Sequence, residues 1–336
     1  LTIFSRDKSP ELRLAVPSDG ALHEPALMFL QACGMGVSRT NLRRYTADIP
    51  TLPGVTVLFQ RSSDISLKVE EGSADMGMVG LDRVLETRSE VSDTNIVIEN
   101  LGFGHSQLVI GVPDSWMDVT SLADLAELSM EFREQGGDLR IATKYPRLVE
   151  RFLAGSGVNY FSLVQSSGTL EAAPAMGFTD IIADISSTGT TLRENRLKTI
   201  QGGAIFSSQA CLISNKVLLA NHQEKLGRAN ILVEMIESHL QSRDYYSLTA
   251  NMKGESAEEV ASYVLEQPNV SGLTGPTISP VHTRDGQKWY AVTVIIEKGN
   301  LLSAVEHFRN VGGSSITVSQ PSYVFRAESE AHARLI

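Results

Sequence analysis

The residues best suited to chemistry lie in one stretch, Asp180 to Glu194, reading DIIADISSTGTTLRE. An apolar run ends in an aspartate, and a Ser/Thr/Gly segment then opens a helical pattern. Such a loop suits a phosphate group. Glycine permits close approach of backbone, successive N–H groups and hydroxyls donate to anionic oxygens, and a helix N-terminus adds partial positive charge. Asp184, at the strand end, is placed to accept hydrogen bonds from sugar hydroxyls. Plain helix capping is the competing reading of the same residues, with Thr190 or Thr191 and Glu194 as a capping box.

Other chemistries find less in the chain. The seven histidines form neither an H-x-x-x-H pair nor an H-E-x-x-H box, so no imidazole metal site is expected. Cys33 and Cys211 stand far apart without a C-x-x-C, which points to a reducing compartment and no structural zinc. The pair Gly102-x-Gly104 lacks the third, helix-opening glycine of a dinucleotide fingerprint, which argues against a Rossmann oxidoreductase. His105 follows that pair and would reach a cleft only through the close approach those glycines allow; a lone histidine serves structure as readily.

Charge narrows the partners. With 29 basic and 39 acidic side chains the net charge is −10, and no segment gathers the basic residues into a stripe, so nucleic acid is a poor partner. Phosphorylated ligands must then be held by local amides, hydroxyls, a few arginines and a divalent cation. No window approaches the roughly 18 consecutive apolar residues of a membrane span, and the opening LTIFSRDK does not read as a signal peptide. The expectation is a soluble, cytoplasmic protein, or one of an organelle stroma if an N-terminal targeting segment has been removed.

The elements that must position the loop read as α/β. Strand patterns at 12–17, 55–59 and 74–79 alternate with helical ones at 25–34 and 64–71, and the order returns as strand 139–143, helix 146–153 and strand 177–183. Leu-Arg-Leu-Ala at 12–15 echoes Leu-Arg-Ile-Ala at 139–142, and Gly72-x-x-Asp75 echoes Gly177-x-x-Asp180. Two similarly built lobes with mostly parallel sheets are expected, facing each other across a cleft. Strands at 108–112 and 209–213 would cross between them as a two-strand hinge, and 217–242 reads as one long amphipathic helix. Beyond about residue 244 the order is βαββαβ, a ferredoxin-like unit, with Asp285-Gly286 at its hairpin. The domains are therefore 1–108 plus 208–243, 109–207 with the phosphate loop, and 244–336.

An apolar strand, an aspartate and T-G-x-T resemble the phosphoribosyl pyrophosphate loop of phosphoribosyltransferases. Around it, Arg140-Ile-Ala-Thr-x-Tyr145-Pro146, Gly168-Thr-Leu-Glu171-x-Ala-Pro174, Leu192-x-x-Asn195-x-Leu-Lys and Ser208-Gln-Ala-Cys-Leu-Ile213 are, in this order, similar to the ATP phosphoribosyltransferase family. The likeness runs from Leu12 to about Gln320, and Gly275 to Pro280 with Gly312 to Ile316 resemble the regulatory domain of its long form. The resemblance implies a two-lobed body like type II periplasmic binding proteins, followed by an ACT-like ferredoxin-like domain. It implies transfer of ribosyl 5-phosphate from phosphoribosyl pyrophosphate to N1 of the adenine of ATP, releasing pyrophosphate, the step that opens histidine biosynthesis.

The resemblance also implies roles. Asp184, Ser187, Thr188, Gly189, Thr190, Thr191 and Leu192 would hold phosphoribosyl pyrophosphate, and Arg43 and Arg61, with Asp184, would be catalytic. Arg61, Asp82, Tyr145 and Glu171 would contact ATP. Mg²⁺ would arrive with the substrate phosphates rather than on protein side chains alone. Asn251, Leu273, Thr277 and Ser315 would form an allosteric site for L-histidine as inhibitor, in a homohexamer built from dimers. One position departs from the family, whose first turn usually carries lysine where this chain has Asp19. Two alternatives stand beside this reading: a type II solute-binding-like protein without catalysis, and a phosphoribosyltransferase with another acceptor.

Overall fold

A computed structural model describes residues 11–41, 43–89, 91–165, 170–284 and 286–336. The opening LTIFSRDK, Gly168, Thr169 and Asp285, which the sequence reading uses, lie outside the described residues. The chain begins β1 (Leu12–Pro17), α1 (His23–Ala32), β2 (Thr46–Asp48), β3 (Val55–Gln60), α2 (Ser62–Glu70), β4 (Met76–Gly80), α3 (Leu81–Thr87) and β5 (Thr94–Ile98). It continues with β6 (Ser106–Pro113), α4 (Leu122–Glu134), β7 (Leu139–Thr143), α5 (Pro146–Gly155), β8 (Phe161–Gln165), β9 (Ile181–Ser186), α6 (Thr190–Glu194) and β10 (Leu197–Ser208). Then follow β11 (Ala210–Asn215), α7 (Lys216–Asn221), α8 (Gln223–Ser242), β12 (Tyr245–Lys253), α9 (Ala257–Leu265), β13 (Thr277–Val281), β14 (Trp289–Glu297), α10 (Leu301–Asn310) and β15 (Ser314–Ser319).

Two compact units result: residues up to Asn230 together with Ala331–Ile336, and Ile231–Glu330. The division falls inside α8, and the last residues return to the first unit, where the sequence reading groups 244–336 together.

The first unit holds two sheets, ordered β2-β3-β1-β4-β11-β5 and β10-β6-β9-β7-β8. Each contains the same motif. Three parallel strands (β3-β1-β4, and β8-β7-β9) are followed by an antiparallel one, β11 or β6, beside the third. This is the type II periplasmic-binding-protein arrangement, with two crossings between the sheets, β5 to β6 outward and β10 to β11 back. The expectation of mostly parallel pairing is corrected, because the crossing strands and their neighbours pair antiparallel. All of β6 belongs to the second sheet, so a lobe boundary at 108/109 would cut a strand. β9 starts at Ile181, and Gly177 instead takes a left-handed turn, φ 73°. The long helix at 217–242 is also corrected: it breaks at His222, whose extended backbone (φ −133°, ψ 90°) separates α7 from α8.

The sequence echo becomes a repeated ion pair. In the first lobe Asp75 Oδ2 accepts from the Arg13 backbone N–H at 2.7 Å and Oδ1 from Arg13 Nη2 at 2.9 Å, while Nη2 also donates to the Gly72 carbonyl. In the second, Asp180 Oδ2 accepts from the Arg140 N–H at 2.7 Å and Oδ1 from Arg140 Nη2 at 2.8 Å, while Nη1 donates to the Gly177 carbonyl. Each clamp ties the start of a lobe's first strand to the turn before its third. They differ in cover: Asp75 is fully buried beneath the Lys225 ammonium, and the Arg140 side chain is 45% exposed. Around the sheets, Ala15, Ile65, Val79, Val84 and Ile213 form one core and Leu108, Ile141, Val149, Leu153 and Ile181 another.

The second unit has sheet order β13-β14-β12-β15, all antiparallel, the ferredoxin-like order expected from βαββαβ. Its core packs Leu248, Ala250, Val292, Val294 and Ile296 against Val260, Val264, Ala304 and Phe308.

Candidate active site

β9 delivers Asp184 from an interior of Ile181, Ile182 and Ala183, all fully buried, to the C-terminal edge of the second sheet. Its carboxylate accepts from the Ile185 N–H at 2.8 Å. Burial is the main influence on it and raises its pKa, with Glu171 adding repulsion and Lys144 and Arg83 opposing. Open acceptor sites therefore remain on a carboxylate poor in solvent, suited to hydroxyl donors.

The loop behind it folds on its own hydroxyls. Ser186 Oγ accepts from the Gly189 N–H at 3.0 Å, Thr188 Oγ1 lies 2.9 Å from Thr190 Oγ1, and Arg193 Nη2 donates to Thr190 Oγ1 at 3.3 Å. Gly189 is the N-cap residue of α6, at φ 71°, and has no side chain to cap it, while Thr188 Oγ1 accepts from the Thr190 N–H at 3.4 Å. That sets aside the capping box of Thr190 or Thr191 with Glu194. The N–H groups of Thr191 and Leu192 donate to no acceptor among the described residues, while Arg193 is the first to bond back, to the Gly189 carbonyl. Ser187, Thr188, Thr190 and Thr191 are exposed around these donors. Free amides, hydroxyls and a helix start lie together here, an arrangement of donors able to serve a tetrahedral anion. Leu192 offers its backbone N–H to this group, and its side chain is 5% exposed and packs with Val109, Ala142, Ile182 and Leu197.

Asp82 and Tyr145 meet. The Tyr145 hydroxyl donates to Asp82 Oδ2 at 2.7 Å, and Ser208 Oγ donates to Asp82 Oδ1 at 2.6 Å. This bond brings the C-terminal end of β4 against that of β7, the ends at which open α/β sheets bind ligands. Burial, then the Asp82 charge, pushes the Tyr145 hydroxyl well above its ordinary pKa, so it remains a donor. Both residues are nearly closed to solvent, at 7% and 3% exposed, and their bond joins the lobes. Glu171 is half-buried and near enough to act on Asp184.

Arg61 is exposed at the start of α2, directly after β3, and Arg43 is exposed in the turn before β2. No described contact joins either to Asp184. Asp19 is exposed beyond β1, in the turn closed by Gly20 at φ 72°, and His105 is exposed ahead of β6. In the second unit, Asn251 lies on β12 opposite Ser314, and Thr277 starts the edge strand β13. Ser315 sits at φ 52° where β15 slips a residue against β12, and Leu273 is exposed in the loop before β13. A non-glycine held in that region marks a strained bulge.

Sequence reasoning missed four participants. Arg83 stacks its guanidinium 4.4 Å over the Tyr145 ring, Lys144 acts on Asp184, and Ser208 holds Asp82. Glu86 accepts from the Arg147 and Leu148 N–H groups, each at 3.0 Å, capping α5 from the other lobe. The spacing of Asp82 and Glu86, four apart on one helical face, was a readable signal for the last.

The family model for ATP phosphoribosyltransferase (HisG) matches residues 61–238, and that for the HisG C-terminal domain matches 242–321. A relative named ATP phosphoribosyltransferase 2, chloroplastic, from Arabidopsis thaliana is 39% identical over 332 residues, covering 97% of this chain and 80% of its own. ATP phosphoribosyltransferase of Brucella melitensis is 43% identical over 204 residues, 60% of this chain and 88% of its own. Among solved structures, the ATP phosphoribosyl transferase (HisG:HisZ) complex from Thermotoga maritima matches with TM-score 0.51 at 26% identity, over 67% of this chain and 98% of that one. Matched by both family models and by relatives along nearly its whole length, the chain belongs to the ATP phosphoribosyltransferase family, in the long form that carries the C-terminal domain.

Proposed function

We propose that this chain transfers the ribosyl 5-phosphate of phosphoribosyl pyrophosphate to ATP, the first step of histidine biosynthesis. The lone pair of adenine N1 attacks C1 of the ribose, the C1–O bond to pyrophosphate breaks, and pyrophosphate leaves with the bonding pair. N1 is already nucleophilic, so the protein's tasks are orientation and charge stabilisation. The observation that carries this reading is the start of α6, where the Thr191 and Leu192 amides, without an acceptor among the described residues, and the threonine hydroxyls suit the 5-phosphate, directly behind Asp184, which suits the ribose hydroxyls. Arg43 and Arg61, exposed and cationic, would meet the pyrophosphate charge. Asp184 and Glu171 fit the oxygen-lined side of a hydrated Mg²⁺. Mg²⁺, bound with the substrate phosphates, would neutralise the leaving group.

The second unit is the regulatory part of this proposal. L-histidine would bind near Asn251, Thr277, Ser315 and Leu273 and inhibit by favouring one conformational state. Dimers would assemble into a homohexamer. Plant relatives named chloroplastic favour an organelle stroma over the cytoplasm, and among the described residues no helix is long and apolar enough to cross a membrane.

The test follows the product's adenine absorbance with ATP, phosphoribosyl pyrophosphate, Mg²⁺ and pyrophosphatase, with and without L-histidine. Turnover with ATP but not with orotate or free purines, suppressed by histidine, is expected. Turnover indifferent to histidine removes the regulatory part, and no turnover removes the catalytic one.

A further inference from the structure

We infer that the second lobe binds a small molecule carrying a primary ammonium group, seated on Asp180. A cavity of about 410 Å³ opens there, lined by Ser115, Trp116, Thr179, Asp180, Asn195 and Arg196 among others. It lies at the opposite end of β9 from the phosphate cradle, since Thr179 and Asp180 precede that strand and the cradle follows it.

The internal repeat identifies the ligand chemistry. Both lobes build the same arginine–aspartate clamp, and in the first the clamp is completed by an ammonium: Lys225 Nζ lies 3.2 Å from Asp75 Oδ1 and 3.4 Å from Oδ2. In the second, Arg140 is the only cation among the described residues that pairs with Asp180. Where the first lobe places a lysine, the second has a cavity. A carboxylate accepts about four hydrogen bonds, so Asp180, like Asp75, can take an ammonium beyond its arginine.

A further feature favours an occupant. Arg196 is held at φ 57°, a strained conformation for a non-glycine residue, at the same cavity. Its guanidinium, without a partner among the described residues, suits an anionic group on the far end of the ligand. Trp116 offers an apolar wall to an aliphatic stem. The occupant is thus shaped like a lysine side chain, an aliphatic primary amine.

The test uses n-butylammonium chloride, that side chain in isolation, titrated into the full chain at constant ionic strength and followed by ligand-observed NMR and thermal shift. Saturable binding is expected, with n-butanol giving none. Asp180→Asn should weaken it about tenfold or more, as loss of a charge-assisted bond requires. Ala175→Trp, which fills the cavity without touching the clamp, should abolish it and decides the matter alone if the first variant does not fold. Equal affinity in a folded Asp180→Asn chain, undiminished binding by Ala175→Trp, or no saturable signal up to about 0.1 M overturns the inference.

Discussion

The two clamps form an experiment internal to the molecule, because one interaction is built twice with different burial. Substituting Asp75→Asn replaces a carboxylate with no solvent exposure that takes both Arg13 Nη2 at 2.9 Å and Lys225 Nζ at 3.2 Å. The amide can turn only one acceptor toward them, and two cations, one of them 1% exposed, lose the charge they share. Removing one member of a buried ionic cluster costs about 3–5 kcal/mol. Asp180→Asn removes the same chemistry where the arginine is 45% exposed and water replaces much of the loss. Exposed pairs are worth about 0.2–1 kcal/mol. For a unit of this size, at about 2–4 °C per kcal/mol, the first change should lower the melting temperature by roughly 6–20 °C and the second by about 4 °C or less. Differential scanning calorimetry of the two variants measures both. Equal losses would refute the reasoning, since they would mean that the arginine geometry, not burial, sets the cost.

The Tyr145 hydroxyl's bond to Asp82 is buried and charge-assisted, so Tyr145→Phe should cost about 1.5–3 kcal/mol, read by urea unfolding; an unchanged midpoint would show that the bond does not join the lobes. Burial raises the Asp184 pKa, so the folded state holds that proton more tightly than the unfolded chain and its ionisation costs stability as pH rises through the raised value. Asp184→Asn should therefore melt higher than the parent near pH 7, with the difference vanishing below the ordinary carboxylate range; a pH-independent difference across melting curves counts against this. Gly189→Ala forces a side chain into φ 71°, costing about 1–2 kcal/mol, and sets its Cβ 3.0 Å from Arg193 Nη1. The KM for phosphoribosyl pyrophosphate should rise about tenfold, and an unchanged KM would remove Gly189 from the cradle.

The sequence by itself determined what is local. Alternation and period mark β1, β3, β7 and α5, and the Arg-Leu/Ile-Ala and Gly-x-x-Asp echoes announce two like lobes, because an ion pair between a strand and a following turn needs only those residue types in order. The cradle was legible for the same reason: Gly189, the hydroxyls and the start of α6 lie within a few residues. β10 was not, because its apolar positions do not alternate and its register slips at Gly202 and Gly203. α4 was overlooked although Ser121 and Asp124 form a capping box at its start.

Only the tertiary structure decided what depends on residues far apart in the chain. It paired Tyr145 with Asp82, set Glu86 as the cap of a helix in the other lobe, turned the Leu192 side chain into the core, and buried one clamp under Lys225 while leaving its twin open to a cavity. Residue types and spacing fix which groups can bond. Which carboxylate loses its water is set by what the rest of the chain lays over it, and the physical reason is that desolvation belongs to the packed whole rather than to any segment.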